Sequence, residues 1–289
     1  MKQLGIMVCV FAVLSSSRLA AEEWLGLEQE LPALVGIDLG RDQEEDTTAA
    51  FMLALPVGDS AGYYGYYSNT QLSDAGQEFD SLVLASTIWF QLSELVDIEL
   101  QHFFEGNEDE LEKETLGIAL GLSLGNWDFR VQLDDGELLI FTRDDVTDFL
   151  GGFIPDRFDS DVSGYGLTLG WQADPWYWQA SYQRFDYDRD ITPLDRSRFA
   201  QFIVKSSALA QSSLLISESS SLLIGHTDYD NDYSILIYQD QSAIDQSRAE
   251  TLALSWQHWT NLRFGYLLVA SMPVPADSFG LTLGLRWVL

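Results

Sequence analysis

The sequence predicts an all-β protein, a transmembrane up-and-down antiparallel β-barrel of about fourteen strands. Three observations carry that expectation. Apolar residues recur with a period of two over most of the chain, tight and long polar connections alternate, and the chain ends on its cleanest amphipathic segment. In "FGLTLGLRWVL", residues 279–289, Phe279, Leu281, Leu283, Leu285, Trp287 and Leu289 share one face, while Gly280, Thr282, Gly284, Arg286 and Val288 share the other.

Strands are expected at 33–40, 47–56, 61–69, 79–92, 95–105, 114–124, 127–142, 161–172, 176–187, 219–229, 232–241, 249–258, 262–271 and 279–289. "TLGIALGLSL" is typical. It sets Leu116, Ile118, Leu120, Leu122 and Leu124 against Thr115, Gly117, Ala119, Gly121 and Ser123. Tight turns are read at "SE" 93–94, "GN" 125–126, "ADP" 173–175, "DND" 230–232 and "TN" 260–261. Long polar connections are read at "RDQEED", "NTQLSDAGQE", "EGNEDELEKE", "RDDVTDFLGGFIPDRFDSD" and "QDQSAIDQSRAE". Short turns on one side and long loops on the other are the rhythm of consecutive hairpins. Twelve strands is the alternative, because "DDG" at 134–136 could be a turn and the first two strands are short. One stretch leaves the pattern. Phe199, Phe202, Ile203, Ser206, Leu209 and Ala210 fall at helical spacing behind Asp195, a residue suited to an N-cap. A short helix is therefore expected near 196–212, within a connection, lying across a pore mouth or covering an edge.

The first residues, "MKQLGIMVCVFAVLSSSRLAA", combine Lys2, an apolar run from Leu4 to Leu14 and small residues before Glu22. That is the layout of a secretory signal peptide over 1–21, too short in its apolar run to span a bilayer as a helix. A short arm, 22–31, then leads into a barrel over 32–289. Removal of the leader takes away Cys9, the only cysteine, and leaves an exported chain with no thiol chemistry. It also leaves 13 basic residues against 45 acidic, a net charge of −32. Such a chain does not bind nucleic acid, which needs a basic surface.

The composition of the two strand faces separates a membrane barrel from a soluble one. One face is uniformly large and apolar; the other is rich in Gly, Ala, Ser, Thr and Gln. A water-facing sheet exterior normally carries Lys, Glu and Arg, so the small, polar face suits a lumen and the apolar face suits lipid. Trp127, Trp171, Trp176, Trp178, Trp256 and Trp287 fall near strand ends, where interfacial girdles belong. The last residues, "TLGLRWVL", with Thr282, Gly284, Trp287 and Leu289, resemble the terminal strand signal of Gram-negative outer-membrane β-barrels of porin type. The resemblance implies an outer-membrane location, contact with outer-membrane lipid and recognition by the barrel assembly machinery. Leu289 departs from the terminal aromatic usual in that class, which bears on assembly efficiency.

By parity, Asp97, Glu99, Asp128, Arg130, Arg263 and Arg286 fall on the lumen face, all close to a periplasmic strand end. They are expected to form a mixed-charge belt, either setting the selectivity of a channel or bridging strands of a closed lumen. Acidic clusters are expected in four long loops: Asp42, Glu44, Glu45, Asp46; Glu105, Glu108, Asp109, Glu110; Asp144, Asp145, Asp148; and Asp186, Asp188, Asp190. None has the spacing of a calcium loop, and neither a metal nor a cofactor is expected. The chain lacks an HExxH or Gly-rich phosphate motif. Its histidines are His102, His226 and His258; a lipid-acting enzyme would use His102 or His258, which share the lipid-facing parity. The expectation is a monomeric passive channel for small hydrophilic solutes or cations. The alternatives are a plugged structural or adhesive barrel acting through its acidic loops, or a lipid-modifying enzyme.

Overall fold

A computed structural model describes residues 33–42, 46–58, 60–74, 77–107, 111–141, 157–191, 215–244, 246–261, 263–274 and 279–289. The expected leader 1–21, the expected arm 22–31 and the helix expected at 196–212 lie outside the described residues. The strands are β1 (Leu34–Asp42), β2 (Thr47–Pro56), β3 (Ala61–Asp74), β4 (Gln77–Ser93), β5 (Val96–Asn107), β6 (Leu111–Leu124), β7 (Trp127–Phe141), β8 (Arg157–Ala173), β9 (Trp176–Tyr187), β10 (Ile216–Asp228), β11 (Asn231–Ser242), β12 (Arg248–Asn261), β13 (Phe264–Val274) and β14 (Gly280–Val288). Each pairs antiparallel with its neighbour in sequence, and β1 pairs with β14 to close the barrel. The seam register runs from Leu34 opposite Val288 to Asp42 opposite Gly280.

Fourteen strands bring the start of β1 and the end of β14 to one rim, with the turns after β4, β6, β8, β10 and β12. The β6–β7 turn is set by Gly125, whose φ of +62° is a left-handed conformation that glycine adopts without strain. At the opposite rim, two of the expected loops are hairpins whose strands run on: β3 to Asp74 with β4 from Gln77, and β5 to Asn107 with β6 from Leu111. Polar side chains do not interrupt backbone pairing once the strands have left the lipid. The "DDG" stretch is likewise no turn. It lies inside β7, with Asp134, Asp135 and Gly136 opposite Gly117, Leu116 and Thr115. Gly136 serves a close approach instead, since a Cβ there would collide with the backbone of Glu114 on β6.

The exterior is a continuous apolar belt. Leu39, Leu116, Leu120, Val131, Leu133, Leu167, Ile237 and Leu283 are all exposed on it. Along β6, outward side chains stay apolar from Leu124 to Leu116 and then become Glu114 and Glu112. That run climbs ~26 Å along the strand, or about 20 Å along the membrane normal at a tilt of roughly 40°. On β7 and β8 the belt ends at Asp135 and Glu137, and at Asp161; Glu114, Glu137 and Asp161 are direct cross-strand neighbours. The other edge carries aromatic pairs at the turn rim. Trp127 meets Trp178 edge-on at 5.8 Å, Trp176 meets His226 at 4.6 Å, and Trp256, His258 and Tyr266 form a triad. Amphipathic rings at this height are what a lipid headgroup boundary selects.

An arginine placed in the belt at Leu120 should cost about 2–4 kcal/mol. Asp135→Arg, above the belt, should stay within about 0.5 kcal/mol of wild type. Denaturant unfolding of the barrel in phosphocholine vesicles measures both. Equal effects at the two positions would overturn this placement of the belt.

Candidate functional site

The lumen has two unlike walls. On β5–β9 the inward side chains include Asp97, Glu99, Gln101, Asp128, Arg130, Gln132, Asp134, Thr168, Gln179, Ser181 and Gln183. Most of them are half-buried. On β10–β14 and β1–β4 they include Leu223, Leu236, Tyr238, Leu267 and Val269 in one cluster and Met52, Tyr66, Val83 and Ala85 in another, all fully buried. The expectation of a lumen lined throughout by small, polar residues thus holds for one side only. On the other side the inward face is closed by packing, with apolar clusters interspersed with buried polar groups such as Ser68, Ser234, Ser271 and Thr282.

Large inward side chains lie along the wall, across glycines of the next strand. A Cβ at Gly121 would collide with the Asp97 carboxylate, one at Gly117 with Asp134, and one at Gly225 with the Tyr177 ring. These glycines give the side chains room to lie flat, which keeps them off the barrel axis.

The accessible charges gather on β5 and β7. Arg130 lies 2.8 Å from Glu99 and 3.8 Å from Asp97; its side chain is 32% exposed, and theirs are 7% and 16%. Gln101 Nε2 donates to Glu99 at 2.9 Å, and Ser123 donates to Asp128 at 2.6 Å. Asp134 accepts from Gln132 at 2.9 and 3.0 Å and from Gln183 at 3.2 Å. Arg286 stands apart, across the β14–β1 seam. It grips Asp38 with two hydrogen bonds, 2.6 and 3.1 Å, and both side chains are 3% exposed. Gly284 and Gly36 leave space for this pair, since a Cβ at either would press on Arg286. Arg263 is not in the lumen. It lies exposed in the β12–β13 turn, where its backbone N–H donates to Asn261 at 2.8 Å. Parity places a residue on a face only while the strand lasts, and β13 begins at Phe264. The charges therefore form one accessible cluster and one buried pair, not a continuous belt.

Three inward groups escaped the sequence reading. Asp38 was hidden in an apolar strand and Asp134 in an apparent turn. Lys113 lay in an apparent loop, but is fully buried directly opposite Glu105 and packs its ammonium 3.7 Å from the Phe185 ring centroid. Glu105, expected in an exposed loop cluster, is buried with it, and Asp186 is on β9 beside Arg184 at 3.3 Å. Asp46 is buried, and Asp188 and Asp190 are exposed. Glu44, Glu45, Glu108, Asp109, Glu110, Asp144, Asp145 and Asp148 lie outside the described residues.

Of the terminal signal, Thr282 and Gly284 face inward, Trp287 packs on Phe264 at 5.7 Å, and Leu289 is exposed past the strand end. Of the histidines, His102 meets Glu114 at 2.7 Å, His258 meets Asn231 at 2.9 Å, and His226 meets Trp176.

Breaking the seam pair from one side should cost about 3–5 kcal/mol, because it strands a buried charge. Arg286→Leu should show that loss in vesicle unfolding. The double variant Asp38→Leu with Arg286→Leu should recover most of it; additive losses would show that the two residues are not coupled.

Among solved structures, the chain is similar to the CymD monoaromatic hydrocarbon channel, at 7% identity and a TM-score of 0.53, covering 93% of each chain. It is also similar to the KdgM porin, at 5% identity and a TM-score of 0.47, covering 89% of this chain and 99% of that one. A third similarity is to OccK8 (OprE) of Pseudomonas aeruginosa, at 8% identity and a TM-score of 0.45, covering 89% and 98%. No protein-family model and no curated protein matches the chain. With its closed fourteen-stranded sheet and apolar exterior, the chain has the fold of a porin-like β-barrel of the outer membrane.

Proposed function

We propose that the protein is a passive outer-membrane channel for small hydrophilic solutes, with a preference for cations. The observation that carries this reading is the asymmetric lumen. Its β5–β9 wall keeps half-buried carboxylates, amides and hydroxyls, while the opposite wall is closed by packing. A solute path therefore follows the polar wall. Among the described strand residues, inward carboxylates are Asp38, Asp97, Glu99, Glu105, Asp128, Asp134, Asp232 and Asp240, against Lys113, Arg130 and Arg286. An excess of fixed negative charge in a low-dielectric bore concentrates cations and excludes anions. The leader 1–21 supports export, and the terminal strand supports recognition by the assembly machinery.

A second reading is a closed structural or adhesive barrel working through its loops. The burial of the apolar wall favours it. Planar-bilayer recording with the refolded chain under asymmetric potassium chloride decides between the two. Stable open currents with a cation-selective reversal potential support the channel; silence supports the closed barrel. Asp97→Asn with Glu99→Gln should move the reversal potential toward zero, since both are inward carboxylates beside the partly exposed Arg130. An unchanged potential removes them from selectivity.

Leu289 continues the seam through its backbone, its N–H donating to Ala33 O at 2.8 Å. We infer that its side chain is what the assembly machinery reads. Leu289→Phe should then raise the assembled fraction, scored by heat-modifiable mobility, without changing vesicle stability. An unchanged fraction makes the departure from a terminal aromatic neutral.

A further inference from the structure

Two polar side chains interrupt the apolar belt on its lipid-facing side. Ser86 of β4 lies between the outward Leu84 and Ile88, and His102 of β5 between Leu100 and Phe104. The register sets Ser86 and His102 directly opposite each other. His102 is also opposite Leu116, the last apolar residue of the belt on β6, and its Nε2 meets Glu114 Oε1 at 2.7 Å. Hydroxyl, imidazole and carboxylate thus stand in series on three adjacent strands. On the far side of Ser86 is Gly65 of β3. The Tyr63 hydroxyl lies over that glycine, 2.7 Å from where a Cβ would be.

Facing acyl chains, a hydroxyl and an imidazole give up hydration that an apolar side chain does not need. Their order points to a use. An ionised carboxylate only accepts hydrogen bonds, so Glu114 fixes the His102 proton on Nε2 and leaves a lone pair on Nδ1. Directly opposed Cβ atoms stand roughly 4.5–5.5 Å apart, so rotation of the two side chains brings Ser86 Oγ within reach of Nδ1. The structure does not show that hydrogen bond made; catalytic hydrogen bonds commonly tighten only around substrate. The Glu114 side chain is 64% exposed and that of His102 30%. The series runs from the acyl layer toward the headgroups, and the ester linkages of a lipid lie between the two.

We propose that Ser86, His102 and Glu114 form a site that hydrolyses acyl esters of membrane lipids, with Tyr63 as donor to the oxyanion. The site is on the outside of the barrel, so it is independent of the channel reading. Ser86 Oγ bonds to the ester carbonyl carbon, and its proton passes to His102 Nδ1. The carbonyl oxygen takes up negative charge, which the Tyr63 O–H stabilises. The bond from that carbon to the lipid's alkoxy oxygen breaks, and the oxygen leaves with the proton from His102. Water then attacks the acyl-Ser86 ester and gives a proton to His102. The fatty acid departs, and that proton returns to Ser86 Oγ. Glu114 is a positioning residue, which orients the ring and stabilises its charged form.

The refolded full chain in vesicles of ester-linked phosphatidylcholine tests the site, with ether-linked vesicles as the control and free fatty acid as the readout. Fatty acid should accumulate from the ester lipid alone. A long-chain alkyl fluorophosphonate should label Ser86, located by peptide mass spectrometry. Ser86→Ala and His102→Asn should each lower the rate about a hundredfold or more, and Tyr63→Phe about tenfold or more. Glu114→Gln should lower kcat with KM unchanged, and Glu114→Asp should restore part of it, which a merely structural contact would not do. Heat-modifiable mobility scores the folding of each variant. If Ser86→Ala does not fold, the fluorophosphonate label on the wild-type chain decides. No ester hydrolysis by wild type, a label on another residue, or an undiminished rate in folded Ser86→Ala overturns the proposal.

Discussion

In a hydrocarbon layer each backbone amide and carbonyl must find its partner within the chain, and the β1–β14 pairing gives the first and last strands theirs. The even strand number follows from it, because only an even count brings both ends to one rim. Gly36 and Gly284 follow as well, since they make room at the seam for Arg286 and Asp38. That pair is fully desolvated and doubly hydrogen-bonded, so its net contribution is small, while the loss of either partner is severe. It works best as a register device. A one-residue slip of either strand would turn its own charge toward the lipid and leave the other buried without its partner.

Inside the closed sheet, bulk and absence of bulk alternate between neighbouring strands. Asp97 over Gly121, Asp134 over Gly117 and Tyr177 over Gly225 repeat one device, in which a large group lies across a vacant Cβ position. On β5–β9 they include carboxylates, amides and an arginine that are half-buried, although Leu138, Ile140, Val162, Tyr177 and Phe185 of the same strands are packed away. On the remaining strands they are Met, Leu, Val and Tyr, which bury one another at about 1.5–3 kcal/mol for each fully buried side chain. The same backbone arrangement thus yields a wet wall and a dry one.

The fold was legible because lipid demands a strict period of two on the outside, and that pattern survives in nearly every strand. Strand limits at the turn rim were legible through residues such as Gly125. At the other rim they were not, since strands that continue into water need no apolar alternation, as the pairing of Asn69–Asp74 with Gln77–Leu82 shows. The lumen was legible where it is polar: Asp97, Glu99 and Arg130 do meet. It was hidden where both faces are apolar, as around Leu236 and Tyr238, because no contrast marks the inward residue. Arg263 shows the converse error, a parity continued past the strand that justified it. Gly136 beside two aspartates imitates a turn, although its glycine answers to a backbone on the next strand.

The two walls are built from contiguous stretches of chain. The wet wall is one run, β5 to β9, and the dry wall is the two flanking runs that closure joins. The accessible polar side chains of the lumen therefore come mainly from one run of chain, and the two apolar clusters mainly from the rest. The central hairpins can be exchanged, lengthened or recharged as a cassette while the terminal segments keep the ring shut. Over evolutionary time such a barrel can change what it admits without relearning how to fold.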